Sequence, residues 1–313
     1  MSRLTLLDLA KLNADDLRRG IIEEAIAIAP ELRVATARLI PGTEYRSVVR
    51  TGLPSTGFRE GNTGVDASKS TFENKLCQCF ILAGRIECDQ AIADAYVDGP
   101  DAYQALEAVG VLEAAYRKAG AQFYYGTQSD PLGFPGLIAS YDADTMTVEA
   151  GGIGADRTSV WFVKFGERDV QFVLGENTVL KLGEFRVESL ADENGKTTAK
   201  REVQGAMGTT DPGYVADMST WIGLQVVNRH SAVRIKDIST ATGKGMTDDL
   251  AFEALAKFPA GVAPSFCFMN RRSLEQLRRS RTKVTSPTGV PTLPDSVAGV
   301  PIVVTDSIVN GEA

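Results

Sequence analysis

The sequence is 313 residues long, 43% hydrophobic and 23% charged, enough to bury a substantial core in one large or two interleaved domains. Its 33 basic and 40 acidic residues leave a formal charge of −7, without the basic excess of a protein that grips nucleic acid through phosphates. Four cysteines in so long a chain do not suggest a disulfide framework, and no apolar stretch reaches the roughly 18 residues of a membrane span.

Met1–Leu12 lacks the basic start, apolar run and small-residue cleavage site of a signal peptide. Thr5 is instead placed to cap a short amphipathic helix over Leu6–Leu12. Asn13 caps a second, with Asp15 and Asp16 in its first turn, a stripe of Leu17, Ile21, Ala25 and Ile28, and Pro30 as its stop. Two such helices need a surface to lie on, and a neighbouring chain is one candidate.

Thr43–Arg50 has strand composition. Thr51–Ala67 follows, with Gly52, Pro54, Gly57, Gly61 and Gly64 and almost no large apolar side chains. Ser70–Cys88 then resumes as a long strand-like run with Phe72, Leu76, Phe80 and Leu82 on one parity. Two long strands and a polar, Gly-rich tip predict an extended hairpin. A two-stranded ribbon is marginal alone, so it should lean on another chain. Cys77 and Cys79 face the same side of such a strand and are too close in sequence for an easy bridge. With Cys88 and Cys267 they are read as reduced, mostly buried thiols.

Asp98-Gly99-Pro100 opens the strongest helical pattern in the chain. Leu106, Val109, Leu112, Tyr116 and Ala119 share one face, and Gly120 is the expected C-terminal glycine. An aromatic, Gly-rich loop should follow, through Phe123–Gly126 and Gly133–Leu137. Ser159–Phe165 and Val170–Leu174, joined by a turn at Gly166, read as a hairpin with Trp161, Val163 and Phe165 on one side. Asp192–Lys196 reads as a turn. Helical pattern returns at Tyr214–Val227 and at Thr247–Phe258, where Thr247 precedes Asp248 and Asp249. Ser265–Met269 is a short apolar run, Arg272–Ser280 a helix and Val300–Thr305 a closing strand. Without strict βα alternation, the fold class is α+β.

Chemistry is sparse. His230 is the only histidine and has no acidic neighbour in sequence, and Cys77-x-Cys79 lacks zinc or redox spacing. Gly152-Ile-Gly154-Ala-Asp-Arg157 puts Arg where a dinucleotide fingerprint needs Gly or Ala. Thr242–Met246 lacks the spacing and the hydroxyl of a phosphate loop. The pairs Asp15/Asp16, Glu23/Glu24 and Asp248/Asp249 read as helix-end or surface charges. No catalytic, cofactor-binding or metal-binding residue is assigned, and a structural, non-enzymatic role is expected. One run is locally basic: Arg271, Arg272, Arg278, Arg279, Arg281 and Lys283, opposed in sequence only by Glu275. It reads as a solvated helix face, with a polyanion contact as the alternative.

Several segments, taken in order, resemble the major capsid proteins of tailed bacteriophages, whose shell-forming Johnson fold is shared with encapsulins. LTLLDLAKLN resembles the N-terminal arm. GTEYRSVVRTGLPSTGFREGNTG and STFENKLCQCFIL resemble the two halves of the extended loop. DGPDAYQALEAVGVLEAAYRKAGAQFYYG is similar to the spine helix and the segment leaving it, and FPGL to a loop just after. FMNRRSLEQL and AGVPIVVTD are the most specific matches.

The resemblance implies an arm over residues 1–41 and an extended β-hairpin loop with flanking strands over 42–88. It implies a peripheral domain with the spine helix over 89–136, an axial domain over 137–260, and a C-terminal part of the peripheral domain over 261–313. The arm and the loop would reach over neighbouring subunits, with Leu6, Leu9, Arg50, Leu53, Phe58, Arg59 and Lys69 as candidate assembly residues. The implied function is an icosahedral capsid enclosing double-stranded DNA, made in the host cytoplasm and ending in the virion. The implied partners are further copies in pentamers and hexamers, a separate scaffold protein, a portal, a decoration protein and DNA held non-specifically, with no membrane and no cofactor. Two alternatives stand beside it: an encapsulin-type compartment shell and a cytosolic enzyme built on Cys267 or His230.

Overall fold

The computed structural model describes residues 29–141, 145–177, 181–182, 186–188, 203–204, 210–211, 213–285 and 293–312. The two amphipathic N-terminal segments and the Asp192–Lys196 turn lie outside the described residues.

The elements in order are α1 (Pro30–Val34), β1 (Ala37–Leu39), β2 (Glu44–Gly52), β3 (Thr71–Gln78), β4 (Phe80–Asp89), α2 (Gln90–Asp94) and α3 (Pro100–Tyr125). Then come α4 (Leu137–Tyr141), β5 (Thr147–Glu149), β6 (Thr158–Val163), β7 (Val170–Leu174), β8 (Lys181–Leu182), β9 (Arg186–Glu188), β10 (Val203–Gln204) and β11 (Thr210–Asp211). The last are β12 (Gly213–Val226), β13 (Ala232–Ile238), α5 (Asp248–Ala256), β14 (Phe266–Met269), α6 (Arg271–Thr285), β15 (Ser296–Val297) and β16 (Val300–Val304).

Two sheets organise the chain. The first runs β1-β7-β12-β4, with β8 and β9 also paired to β12. The second runs β15-β16-β14-β6-β13-β5 and mixes parallel with antiparallel pairs. Strands and helices are interleaved without a doubly wound order, which is the α+β class expected. Sheet membership groups residues 266–304 with 147–163 and 232–238, so the second sheet spans both sides of position 260.

Two expected elements are different in kind. Tyr214–Val227 is not a helix but lies almost wholly in the 14-residue strand β12. Its register runs Gly213↔Asp89 to Ile222↔Phe80 against β4, and Ile222↔Leu174 to Val226↔Val170 against β7. Ladder bonds to two partners outweigh the helix-like spacing of Val215, Met218 and Ile222. Ser159–Phe165 and Val170–Leu174 do not pair as a hairpin either: β6 and β7 belong to different sheets, joined across the turn by a single bridge, Phe165↔Val170. All six residues of β6 are buried. A strand covered on both faces has no alternation from which its partners could be read.

The long helix also departs from expectation. Gly99 at φ 89 and Pro100 start it as predicted, but α3 passes Gly120 and ends at Gly126, where φ is 55. A Cβ on Gly126 would fall 2.9 Å from Gly136 Cα, so both the backbone angle and the close approach require glycine there. Leu106, Val109 and Leu112 are only half-buried and Tyr116 is exposed, whereas Ala108, Ala115, Ala119, Phe123 and Tyr124 are buried. At about 1.5 Å per residue, the 26 residues of α3 make a spine of roughly 39 Å.

The last turn of that spine ties the two sheets together. Phe123 meets Phe172 of β7 at 5.4 Å and Phe268 of β14 at 6.4 Å between ring centroids. Tyr124 stands 6.4 Å from Trp161 of β6. Each such buried ring contributes about 1.5–3 kcal/mol by area alone. Gln122 Nε2 donates to Phe134 O at 2.7 Å, pinning the FPGL loop to the helix. The remaining predicted elements are observed: α5 with Leu250 N donating to the Thr247 cap at 3.4 Å, β14, α6 and the closing strand β16.

Candidate assembly surface

Among the described residues, strands β2 and β3 pair only with each other, from Glu44↔Gln78 to Gly52↔Thr71, and make a two-stranded ribbon apart from both larger sheets. The strand run expected over Ser70–Cys88 breaks at Cys79, where the ribbon ends and β4 enters the first sheet. At the root, Ile40, Cys77, Cys79 and Val173 are buried, with Tyr45 and Trp221 packed on them. The Arg38 guanidinium lies 4.7 Å over the Tyr45 ring, and Gln225 Nε2 donates to Ser47 Oγ at 2.6 Å. A Cβ at Gly223 would fall 2.6 Å from Gln78 O, so β12 passes directly against the root. These contacts fix the direction in which the ribbon leaves the body.

Outward from the root, the two faces differ. Tyr45, Ser47 and Val49 are half-buried on one. Arg46, Val48 and Arg50 with their partners Leu76, Asn74 and Phe72 form the other, and all six are exposed. Val48, Phe72 and Leu76 are therefore large apolar side chains that face solvent on one side of the ribbon. The parity of Phe72 and Leu76 is visible in the sequence, but none of Val48, Phe72 and Leu76 is among the candidate assembly residues read from it.

The predicted assembly residues sort as follows. Arg50 stands opposite Phe72 with its guanidinium 5.4 Å from the ring, where the ladder shifts register before Gly52. A Cβ at Gly52 would fall 2.5 Å from Thr71 Oγ1. Leu53 and Phe58 lie in the tip, 78% and 110% exposed. Arg59 Nη1 donates to Thr63 O at 2.8 Å and Thr63 Oγ1 to Glu60 O at 2.8 Å, closing a turn in which Asn62 takes φ 65. Ser68 Oγ donates to Ser55 O at 3.1 Å and links the two sides of the tip. Lys69 is exposed where the chain re-enters β3. Leu6 and Leu9 lie outside the described residues.

Cys77, Cys79, Cys88 and Cys267 are free and buried. Burial, helped by Cys79, pushes the Cys77 thiol up to about 12, and burial pushes Cys267 well above the ordinary range. The backbone N–H of His230, in the turn between β12 and β13, donates to Asn228 Oδ1 at 3.0 Å. No set of three metal-ligating side chains occurs among the described residues.

Four arginines of the basic run have carboxylate partners. Arg278 and Arg279 both bond Glu275, and Arg281 reaches Asp248 at 2.6 Å. Arg272 lies 4.0 Å from Asp156. Tertiary structure thus brings two carboxylates, Asp248 and Asp156, that sequence proximity did not reveal.

The family model described as "Major capsid protein GP7" matches residues 32–313. A chain of the bacteriophage epsilon15 structure is 20% identical, with 88% of this chain and 87% of that one covered, at a TM-score of 0.63. A chain of the bacteriophage JBD30 capsid is 9% identical, with 98% and 99% covered, at a TM-score of 0.55. No curated protein sequence matches. The two structural likenesses are of the fold, which is the Johnson fold.

Proposed function

The chain belongs to the major capsid protein GP7 family, and from that premise we propose that it builds the icosahedral head of a tailed bacteriophage by laying its hairpin across a neighbouring copy. As a major capsid protein it is a structural subunit, assembled from many copies of itself into the virion shell. The observation that carries the hairpin reading is the row Val48, Phe72 and Leu76, exposed on a ribbon anchored only at its root. A ribbon with three large side chains in water is costly in isolation and stable when another surface covers them.

Arg50, Leu53, Phe58, Arg59 and Lys69 on the ribbon and its tip, with Leu6 and Leu9 in the arm, are the residues we assign to inter-subunit contact. The domain division should follow the two sheets. The axial unit gathers around the β6–β13–β14–β16 sheet, and the peripheral unit around α3 with β4, β7 and β12. This moves most of residues 261–313 from the peripheral to the axial unit. The working partners are pentameric and hexameric neighbours, a separate scaffold protein, a portal, a decoration protein on the outer face and double-stranded DNA within. A net charge of −7 and a braced arginine helix favour a lumen that tolerates DNA over one that condenses it. Assembly takes place in the host cytoplasm.

Replacement of Gly52–Gly64 by a short Gly-Ser linker tests the reading. The expected result is a folded subunit, by circular dichroism, that forms no shells under negative-stain electron microscopy. Normal particles from that variant would remove the hairpin tip from assembly.

A further inference from the structure

The chain passes directly from one sheet to the other between β6 and β7, and again between β12 and β13. Buried Asp169 joins the two crossings. It accepts from Ser231 Oγ at 2.8 Å and Asn228 Nδ2 at 3.3 Å, and pairs with Lys164 Nζ at 3.1 Å. Two residues on, Gln171 of β7 stands opposite Gln225 of β12 in the ladder, and both are buried. Gln171 Nε2 donates to Glu167 O at 3.5 Å, in the β6–β7 turn, and to Gln225 Oε1. Gln225 Nε2 donates in turn to Ser47 Oγ of β2 at 2.6 Å. A line of hydrogen bonds thus runs from the junction of the sheets to the hairpin.

We propose that the Gln171–Gln225 pair is a latch that holds the hairpin at one angle to the junction of the two sheets. Among the described residues, Ser47 is the outermost ribbon residue with a hydrogen bond to the body. Farther out, Thr51 and Ser68 bond only within the hairpin. Closer in, Thr43 O accepts from Cys79 N at 2.8 Å and Arg38 covers the Tyr45 ring, which fixes where the ribbon starts. A ribbon held at its start alone is free to tilt, and a bond at Ser47 removes that freedom. The nine residues of β2 extend roughly 30 Å, so a tilt of about 10° at the foot carries the far end about 5 Å.

The residue types support a positioning role. Val170, Phe172 and Leu224, the strand neighbours of the two glutamines, are buried and apolar, and leucine would suit both positions. A buried amide costs free energy unless its hydrogen bonds are made. Gln225 makes its bonds to two other elements, so the pair is satisfied only when β2, β7 and β12 hold this arrangement. Buried networks of this kind rigidify and specify one geometry. What the latch does for assembly rests on the hairpin reading: a fixed angle presents Val48, Phe72 and Leu76 to a neighbour in one place.

The test is the spread of distances between spin labels on Lys69→Cys in the hairpin and Asp101→Cys in the first turn of α3. It is read by double electron–electron resonance on the full chain before assembly. The four native thiols are buried, which leaves the introduced pair as the labelled one. The parent should give one narrow distribution, and Ser47→Ala should at least double its width at unchanged circular dichroism. Gln171→Leu alters no bond to the hairpin itself and should broaden the distribution as much. The double variant Gln171→Leu/Gln225→Leu leaves no buried amide unpaired, so it keeps the body folded and should do the same. Thr51→Ala removes only the Thr51–Thr71 bond inside the hairpin and should leave the width as it is. Unchanged widths in Ser47→Ala and the double variant would overturn the proposal. So would broadening by Ser47→Ala without broadening by Gln171→Leu, since Ser47 would then be held without the pair. None of these measurements needs particles, so their failure is distinct from normal shells on replacing Gly52–Gly64.

Discussion

Glu31 of α1 and Gly120 of α3 meet so closely that a Cβ on Gly120 would overlap Glu31 Oε1 and Ser307 Oγ. This contact explains a glycine inside a long helix. Alanine at 120 should gain about 1 kcal/mol of helix propensity. Overpacking against a buried carboxylate and a hydroxyl should cost about 1–3 kcal/mol. The second effect is the larger, so Gly120→Ala is expected to lower the Tm by about 2–5 °C in thermal circular dichroism. An unchanged or higher Tm would mean that Glu31 gives way freely.

The same carboxylate makes stability depend on pH. Burial raises the Glu31 carboxyl above its ordinary value of 4.5, against hydrogen bonds from Ser307 and Thr305, and Asp306 raises it further. A raised folded-state value means that the contribution is fully present below 4.5 and lost as pH rises through the raised value. Glu31→Gln imitates the protonated form. Above pH 4.5 the parent should therefore lose stability relative to Glu31→Gln, a divergence read from denaturant midpoints across the pH range. Parallel curves would contradict the assignment.

What was legible in the sequence was local. The hairpin announced itself by a Gly-rich tip between two strand-like runs, and the cap at Thr247 and the start at Gly99-Pro100 depend on neighbours one turn away. What was misread depends on distant partners. Gly120 looked like a helix stop because its reason, Glu31, is far away in sequence, while the true stop at Gly126 is marked by φ 55 and by Gly136. β12 imitates a helix until β4 and β7 are placed on either side of it. The ribbon's exposed row was half visible: the parity of Phe72 and Leu76 marked a face, but Val48 joins it only through the β2–β3 register.

The four thiols should be silent in the folded subunit. Burial is the main cause that pushes Cys88 to about 12 and, with Cys79, Cys77 to about 12. At pH 8 such a thiol is ionised in about one molecule in ten thousand, and the thiolate is the reactive form. Alkylation at pH 8 should label none of the four in minutes, and all four in 6 M guanidinium, as counted by mass spectrometry. Prompt labelling of Cys77 and Cys79 alone would show that the hairpin root opens in the free subunit.

Arg234 and Glu312 form an ion pair at 2.9 Å with side chains only 7% and 6% exposed. Glu312 also accepts from Tyr125 Oη at 2.7 Å and from Ser159 Oγ at 2.6 Å, and Arg234 lies 5.4 Å over the Trp161 ring. The pair thus latches the C-terminal segment to β6, β13 and the end of α3. A buried ion pair adds little over an apolar replacement, yet removing Glu312 takes from the buried Arg234 guanidinium a charged partner at 2.9 Å. Glu312→Ala should therefore cost about 3–5 kcal/mol, read as a lower denaturant midpoint at unchanged slope. The double variant Arg234→Met/Glu312→Leu should cost less than the single one, because no charge is left buried. Equal losses in the two would mean that the hydrogen bonds of Tyr125 and Ser159, rather than the ion pair with Arg234, carry the latch.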